Sequence, residues 1–520
     1  MTRFTKLDIL SLVGIFVLGL FHLPYPFGAD QALFTIGAAK LNTGAALYRD
    51  FWDTKPPGIF GFYWLAGRLF GFDEIGIHIL EVLYMTAFAA VLVLTLKTYF
   101  KNPAVAAFVP FLTIGVYYGI SERQSLTQAD ILVGFPLFLA LWFALRASQA
   151  KRHRGLWSFL SGILGGLAVL FKIVFFPIPA MFWLLAVVDI VQREQKGVVS
   201  TALSLGVPVA LGFLVPLLLT VGYSTWHGTL NALYWTLFVY PSHIAWEFPC
   251  APSRIFLVEM LNWFTSRYAV LLSLGCLGAC VSLSNRRDFL TLSLVLWLLL
   301  GIVIVFLPCQ FRWHYYLLLL SVPLGILSGQ GLDGLWEQTK GVKLWNTPWK
   351  RNLVAASCLG LLFSPILFAW AERALLFAYA SFAPTSGGLK YEYRFSYGQK
   401  LLRIQKEVAF LSEPNSFPGG IFALTDPLYY ILSGRDQATT LSGWSYHLLP
   451  EQWTQLSEEL VRMRPPYIFI ATECLSGNCE ELLRRQAPQI LSFLTDNYQE
   501  LRRSETGVWY IVRYPLRPHS

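Results

Sequence analysis

Charge is scarce in this chain of 520 residues, with Asp, Glu, Lys and Arg making up 14% of it against 55% hydrophobic and 16% aromatic residues. Soluble globular chains carry about a quarter charged residues, so that class is excluded. A mean hydropathy of +0.51 agrees. Cysteine is sparse too: the seven present form no CxxC pair and no zinc-ribbon spacing, which argues against a structural zinc site. Internal repeats, low-complexity tracts and a glycine-rich phosphate loop are all missing, and without the last an ATP-driven pump lacks its signature. Nor does a small-x-small cleavage site follow the first apolar stretch, Asp8 to Leu23, so it reads as a retained span and not as a signal peptide.

What is there instead is a series of long apolar runs. A bilayer core about 30 Å thick needs roughly 20 apolar residues per helix. Runs of that order begin near Asp8, Ile75, Pro103, Ile131, Leu156, Phe175, Ser200, Arg267, Phe289, Trp313 and Asn352. The stretch from Leu156 to Val191 must be two spans, because one helix of that length would measure roughly 54 Å; Lys172, Pro177 and Pro179 mark the turn. The net charge of +9 does not point to nucleic acid, since the bases fall in short clusters between apolar runs. These clusters are Arg3/Lys6, Lys97/Lys101, Arg146/Lys151/Arg152/Arg154, Arg193/Lys196, Arg286/Arg287 and Lys340 to Arg351. Every second loop carries one, which predicts a cytoplasmic amino terminus and an external or periplasmic chain after Trp370.

The expected architecture is therefore mainly α: a polytopic membrane helix bundle of about eleven spans over residues 1–371, then a small extracytoplasmic α/β domain over 372–520. In that domain Gly420–Leu424, Tyr467–Ala471 and Val508–Val512 read as strands, Glu451–Met463 and Glu480–Leu494 as helices.

The few charges collect in the predicted outer loops. "PFGADQALF" puts Asp30 just past the first span, and "YRDFWDTKPPGIFGFYW" follows with Arg49, Asp50, Asp53 and Lys55. Pro56 and Pro57 stiffen the chain after Lys55, and "IFGFYWLAGRLFG" predicts an amphipathic helix in the membrane interface. "ISERQSLTQAD" supplies Glu122, Arg123 and Asp130 to the next outer turn; "CQFRWHYY" supplies Arg312, His314 and Tyr315 to a late one. Each has a plainer role beside the functional one. Asp130 is placed to N-cap a helix, Lys55 to snorkel to headgroups, and Trp52 and Tyr63 to join an interfacial aromatic belt. Arg123 and Arg312 are placed to pair with Glu122 or lipid phosphate. Glu81 and His78 lie inside a span, as a proton path or a structural hydrogen bond. His243 and Glu247 have metal-compatible helical spacing, against which the nearby prolines argue.

An acid just after the first span, the "LYRDFWDTKPPGIFGFYW" segment, Asp130 in "RQSLTQADILVGFPL", the late Arg/His/Tyr cluster and the external C-terminal domain together resemble one family. It is the GT-C superfamily of polytopic glycosyltransferases, in particular bacterial relatives of protein O-mannosyltransferases and aminoarabinose transferases. The resemblance implies an inner-membrane enzyme that moves a sugar, with inversion, from a polyprenyl-phosphate donor to a lipid, glycan or protein acceptor on the outer face, without nucleic acid. It implies Asp30 as main catalytic carboxylate, Asp130 as accessory acid, and Lys55 with Arg312 on the donor phosphate. Asp50, Asp53, Glu122, Arg123, His314 and Tyr315 are then expected to line the substrate site. A divalent metal stays open as a cofactor, although Thr54 stands where some relatives carry a metal-binding glutamate, and Gln31 where many carry a second acid. Cys474 and Cys479, on the oxidising side, are expected to form a local disulfide. The chemistry is coherent on its own terms: cations stabilise the phosphate leaving group while a carboxylate takes the acceptor's proton. The alternative is a transporter or flippase for an anionic lipid or sugar, which ordinarily shows repeated halves and midplane charges.

Overall fold

In lipid every backbone N–H and C=O must be satisfied within the chain, which leaves helices as the solution for apolar runs of this length. The computed structural model describes residues 4–150, 152–247, 254–285, 288–306, 313–339, 357, 359–382, 388–444, 448–474 and 477–513. Among them nine helices, from Glu74–Leu96 to His314–Gln338, are long and apolar enough to cross a membrane, and the protein is an integral membrane protein. The Lys6–Leu20 helix has 15 residues, fewer than a full span needs. Arg312, the clusters Arg286/Arg287 and Lys340 to Arg351, and the start of the eleventh expected span near Asn352 lie outside the described residues.

Packing divides the chain into two compact units, residues 1–24, 75–222 and 250–389 in one, residues 25–74, 223–249 and 390–520 in the other. In the first unit the apolar helices interlock around Leu112, Val116, Tyr268, Leu271, Leu317 and Leu324, all buried. The Arg154–Phe171 helix stops at Lys172, whose extended backbone (φ −155°) makes the predicted turn. This helix lies directly against Val198–Trp226: a Cβ on Gly162 would collide with the carbonyl of Val209, and one on Gly212 with that of Phe159. Pro110, inside the Pro103–Ile120 span, has no N–H to give, and the helix widens to a π turn over Phe111–Gly115 directly after it. The indole of Trp370 donates to the Gly115 carbonyl there (2.9 Å).

The second unit holds a four-stranded sheet in the order β1 (Phe422–Leu424), β2 (Tyr467–Ala471), β6 (Gly507–Val512), β5 (Tyr498–Arg503). β1 runs parallel to β2; the other two pairings are antiparallel. All five residues of β2 are buried, so its unbroken apolar run covers both faces, and Phe469 packs on Trp509 and Tyr429. A small hairpin, β3 (Glu473–Cys474) with β4 (Gly477–Asn478), leads to the disulfide Cys474–Cys479. Two sequence expectations need correction. The polar edge strand β5 was not anticipated, since "YQELRR" has no apolar alternation to announce it. The expected Glu480–Leu494 helix is two helices, Cys479–Gln486 and Pro488–Asn497, because Pro488 cannot continue a hydrogen-bonded turn.

Since backbone, not a flexible side chain, meets the added Cβ, Gly162→Val is expected to separate the two helices and to abolish the monodisperse detergent-solubilised protein in size-exclusion chromatography. Gly197→Ala, with nothing near its Cβ, is expected to elute as wild type.

Candidate active site

The second unit carries Asp30 and Lys55. Asp30 sits in the first turn of the Ala29–Asn42 helix, capped by the Gln31 side chain on the Gly28 N–H; the positive end of the helix dipole favours a carboxylate there. One turn on, Phe34 meets Phe60 and Tyr63 of the Pro57–Phe70 helix edge to face, with ring centroids at 5.7 and 5.4 Å. Gly37 makes this approach feasible, as a Cβ there would lie 2.6 Å from Phe51 and 2.8 Å from Phe60. The Lys55 ammonium lies 5.9 Å from the Phe34 ring centroid, within cation–π range.

Three hydrogen bonds hold the chain that delivers Lys55. The buried Asp53 carboxylate accepts the Lys55 N–H at 2.7 Å, the Tyr48 hydroxyl donates to the Lys55 carbonyl at 2.8 Å, and the Tyr48 N–H donates to Phe51 O at 2.6 Å. Tyr48 adopts φ +69°, a left-handed backbone that a bulky residue takes only when its surroundings enforce it. Burial raises the pKa of Asp53 above the usual carboxylate value; Lys55 and its N–H oppose this and Asp30 reinforces it. Asp50 differs: its carboxylate accepts Nε and Nη2 of Arg49 (3.0 and 2.7 Å) and the Ala46 N–H, and the arginine holds its pKa low. The aromatic-belt expectation for Trp52 and Tyr63 fails, since they are 5% and 0% exposed, with the Trp52 indole donating to Thr236 Oγ1 (3.0 Å).

The first unit carries Asp130, 3% exposed, whose Oδ2 pairs with Lys172 Nζ at 2.5 Å. Gln128, not Asp130, occupies the N-cap position, so the capping role fails. Lys172 also lies 4.2 Å from the Tyr316 ring centroid. Sequence reading used this lysine only as a turn marker; a lone base between two apolar runs was the signal that it has a partner. Glu122 pairs with Arg267 at 3.6 Å, and Arg123 opens a short 3₁₀ turn. His314 stacks on Trp263 at 5.1 Å, and Tyr315 is buried beside it in the chain.

Glu81, 1% exposed, resolves to a structural role. Its carboxylate accepts from the Tyr117 hydroxyl and from Thr127 Oγ1 (2.6 Å), and the Tyr117 oxygen accepts the Thr127 N–H (3.1 Å). Thr127, at φ +54°, is thereby pinned three residues before Asp130. His78 Nδ1 is 3.2 Å from the Leu23 carbonyl. Tyr240–Glu247 is helical although Pro241 was read against it: it continues the Leu230–Tyr234 helix through a π turn, Trp235–Val239, that lies directly ahead of the proline. Among the described residues no three His, Cys, Asp or Glu side chains come together to hold a metal ion, His243 and Glu247 included.

Two stability measurements check this reading. Removing the Glu81 carboxylate strands two buried hydroxyl donors at about 1–3 kcal/mol each, so Glu81→Ala is expected to lower the apparent melting temperature well below that of Glu81→Gln. For Asp53 the raised folded pKa means that its ionisation costs stability: the contribution is complete below the unfolded pKa and lost as pH rises through the folded one. Asp53→Asn keeps an acceptor for the Lys55 N–H, and is expected to melt above wild type at neutral pH with the gain shrinking toward acid pH.

The sequence model of the dolichyl-phosphate-mannose-protein mannosyltransferase family matches residues 54–219, a stretch that includes Lys55, Asp130 and Lys172 but begins after Asp30. Among solved structures, ArnT from Cupriavidus metallidurans bound to undecaprenyl phosphate superposes with a TM-score of 0.59 at 15% identity, covering 96% of this chain and 97% of that one. Its apo state gives 0.56 at 14% identity, covering 97% and 96%. The archaeal oligosaccharyltransferase AglB from Archaeoglobus fulgidus, in complex with an inhibitory peptide and a dolichol-phosphate, gives 0.48 at 13% identity, covering 99% and 75%. No curated protein sequence matches. The chain has the fold of ArnT, and within it residues 54–219 fit the sequence model of the dolichyl-phosphate-mannose-protein mannosyltransferase family.

Proposed function

We propose that the protein is an inverting glycosyltransferase that moves a sugar from a polyprenyl-phosphate donor to a lipid, glycan or protein acceptor on the outer face of the membrane. The observation that carries the reading is Lys55, its backbone held by Asp53 and Tyr48 and its ammonium lying over Phe34, one turn on from Asp30 in the same helix. Both Asp30 and Lys55 act on the charge of Asp53, so each lies within electrostatic reach of that carboxylate. The likeness to ArnT bound to undecaprenyl phosphate supports a lipid-phosphate donor.

In the proposed reaction the acceptor hydroxyl oxygen attacks the anomeric carbon while the bond from that carbon to the phosphate oxygen breaks. The electron pair leaves on the polyprenyl phosphate, where Lys55, with Arg312 as second cation, stabilises the added charge. Asp30 takes the acceptor's proton. One displacement inverts the carbon, so a second glycosidase-like carboxylate is unnecessary. Asp130, its charge balanced by Lys172, is proposed as an accessory acid. Asp50, Asp53, Glu122, Arg123, His314 and Tyr315 are proposed as the substrate-site lining. Residues 1–371 form the catalytic membrane domain, residues 372–520 the extracytoplasmic one, and the membrane is the bacterial inner membrane with a cytoplasmic amino terminus. The Cys474–Cys479 disulfide supports the oxidising side for the C-terminal domain. No observation favours the transporter alternative.

Transfer from radiolabelled polyprenyl-phosphate sugars into membranes expressing each variant tests the assignment. Asp30→Asn is expected to reduce transfer by about 10²- to 10⁴-fold at normal expression, and Lys55→Ala to weaken donor use most. Unchanged activity in both variants would overturn the site.

A further inference from the structure

At the far end of the helix that begins with Asp30, a cleft of about 520 Å³ opens, lined by Lys40, Asp50, Phe72, Asp436 and Gln437 among others. Ten residues separate Asp30 from Lys40, about 15 Å of helix rise, so this is a separate place from the Asp30 turn. Its charges balance: Lys40 and Arg435 face Asp50 and Asp436. Three of these groups are committed or nearly so. Asp50 is taken by Arg49 and the Ala46 N–H, and Arg435 by the carbonyls of Leu411 and Gly419 and by Ser416 Oγ. Lys40 gives two donors to the carbonyls of Gln437 (3.1 Å) and Asp50 (3.5 Å), which leaves its third N–H.

The remaining acceptor is Asp436, which is exposed and whose carboxylate makes no hydrogen bond or ion pair among the described residues, while its backbone is pinned by the bridge between Ile421 and Gln437. Gln437 is 4% exposed; its amide N–H groups bond the carbonyls of Thr439 and Thr440, and its Oε1, without a partner among the described residues, is buried beneath the cleft surface. Phe72 and Ile431 supply an apolar wall. A ligand that suits one ammonium N–H, the open Asp436 carboxylate and an apolar wall must donate and accept together, carry no net charge, and show an apolar face. An anion meets Asp436 and Asp50, a cation meets Lys40 and Arg435. Burial lowers the pKa of Lys40, and the carboxylates of Asp436, Asp50 and Glu459 oppose that shift.

We propose that this cleft binds a neutral saccharide, one ring hydroxyl accepting from Lys40 and a neighbouring hydroxyl donating to Asp436. The site is built from binding groups alone and stands whether or not the transferase reading holds. The test is saturation-transfer NMR and isothermal titration on the full chain in nanodiscs, with mannotriose as the neutral probe and its glucuronate- and glucosamine-terminated counterparts as charged ones. Mannotriose is expected to bind, the charged probes several-fold more weakly, and Asp436→Asn to weaken mannotriose by about tenfold through loss of a charge-assisted hydrogen bond. Undecaprenyl-phosphate affinity is expected to be the same in Asp436→Asn as in wild type, which shows the variant folded. Absence of mannotriose binding, equal mannotriose affinity in Asp436→Asn, or tighter binding of either charged probe would overturn the proposal; a transfer assay that fails while mannotriose binds would count against the enzyme reading only.

Discussion

An ammonium stabilises a leaving phosphate only if it is already in place when the charge develops, and a lysine side chain has four rotatable bonds with which to be elsewhere. The answer in this chain is the buried Asp53 carboxylate, which binds the Lys55 backbone and leaves the ammonium out of the bond. Tyr48 fastens the same peptide from its carbonyl side, and Pro56 and Pro57 start a helix at once, so backbone freedom ends where the side chain begins. The cost is visible nearby. Asp53 sits buried with a raised pKa, and Tyr48 takes a left-handed conformation that no glycine relieves.

The first unit repeats the device with other parts. Thr127, again left-handed and not glycine, is held by a buried carboxylate, Glu81, and by the Tyr117 hydroxyl, three residues before Asp130. The π turn after Pro110 precedes Tyr117 on the same helix. In both units a carboxylate buried for structural reasons steadies the loop that carries one of the proposed functional charges, Lys55 in one and Asp130 in the other. Strain of this kind persists only where neighbouring contacts over-determine it.

Much of the fold was legible because lipid imposes a simple rule on long apolar runs, and the break at Lys172 followed from length alone. Strand β2 announced itself as an unbroken apolar run; β5, a polar edge strand, had nothing to announce. Pro488 was present in the sequence and still underweighted, because amphipathic spacing continues across it while the hydrogen bonding does not. In the site, Asp30 and Lys55 stood out as charges where charge is rare. Lys172 did not, because its meaning depends on a carboxylate forty-two residues away.

The sequence by itself determined that the chain is a membrane protein, where nine of its eleven expected spans fall, and which few charges stand outside them, since those follow from composition and from the thickness of a bilayer. Only the tertiary structure decided which partner each charge takes: Asp53 for the Lys55 backbone, Lys172 for Asp130, Arg49 for Asp50, Tyr117 and Thr127 for Glu81. It also decided that residues 25–74 pack with residues 390–520. The reason is range. Hydropathy is a local sum that neighbours in sequence supply, whereas pairing energies act through space over a few ångströms and are set by which distant segments the fold brings together.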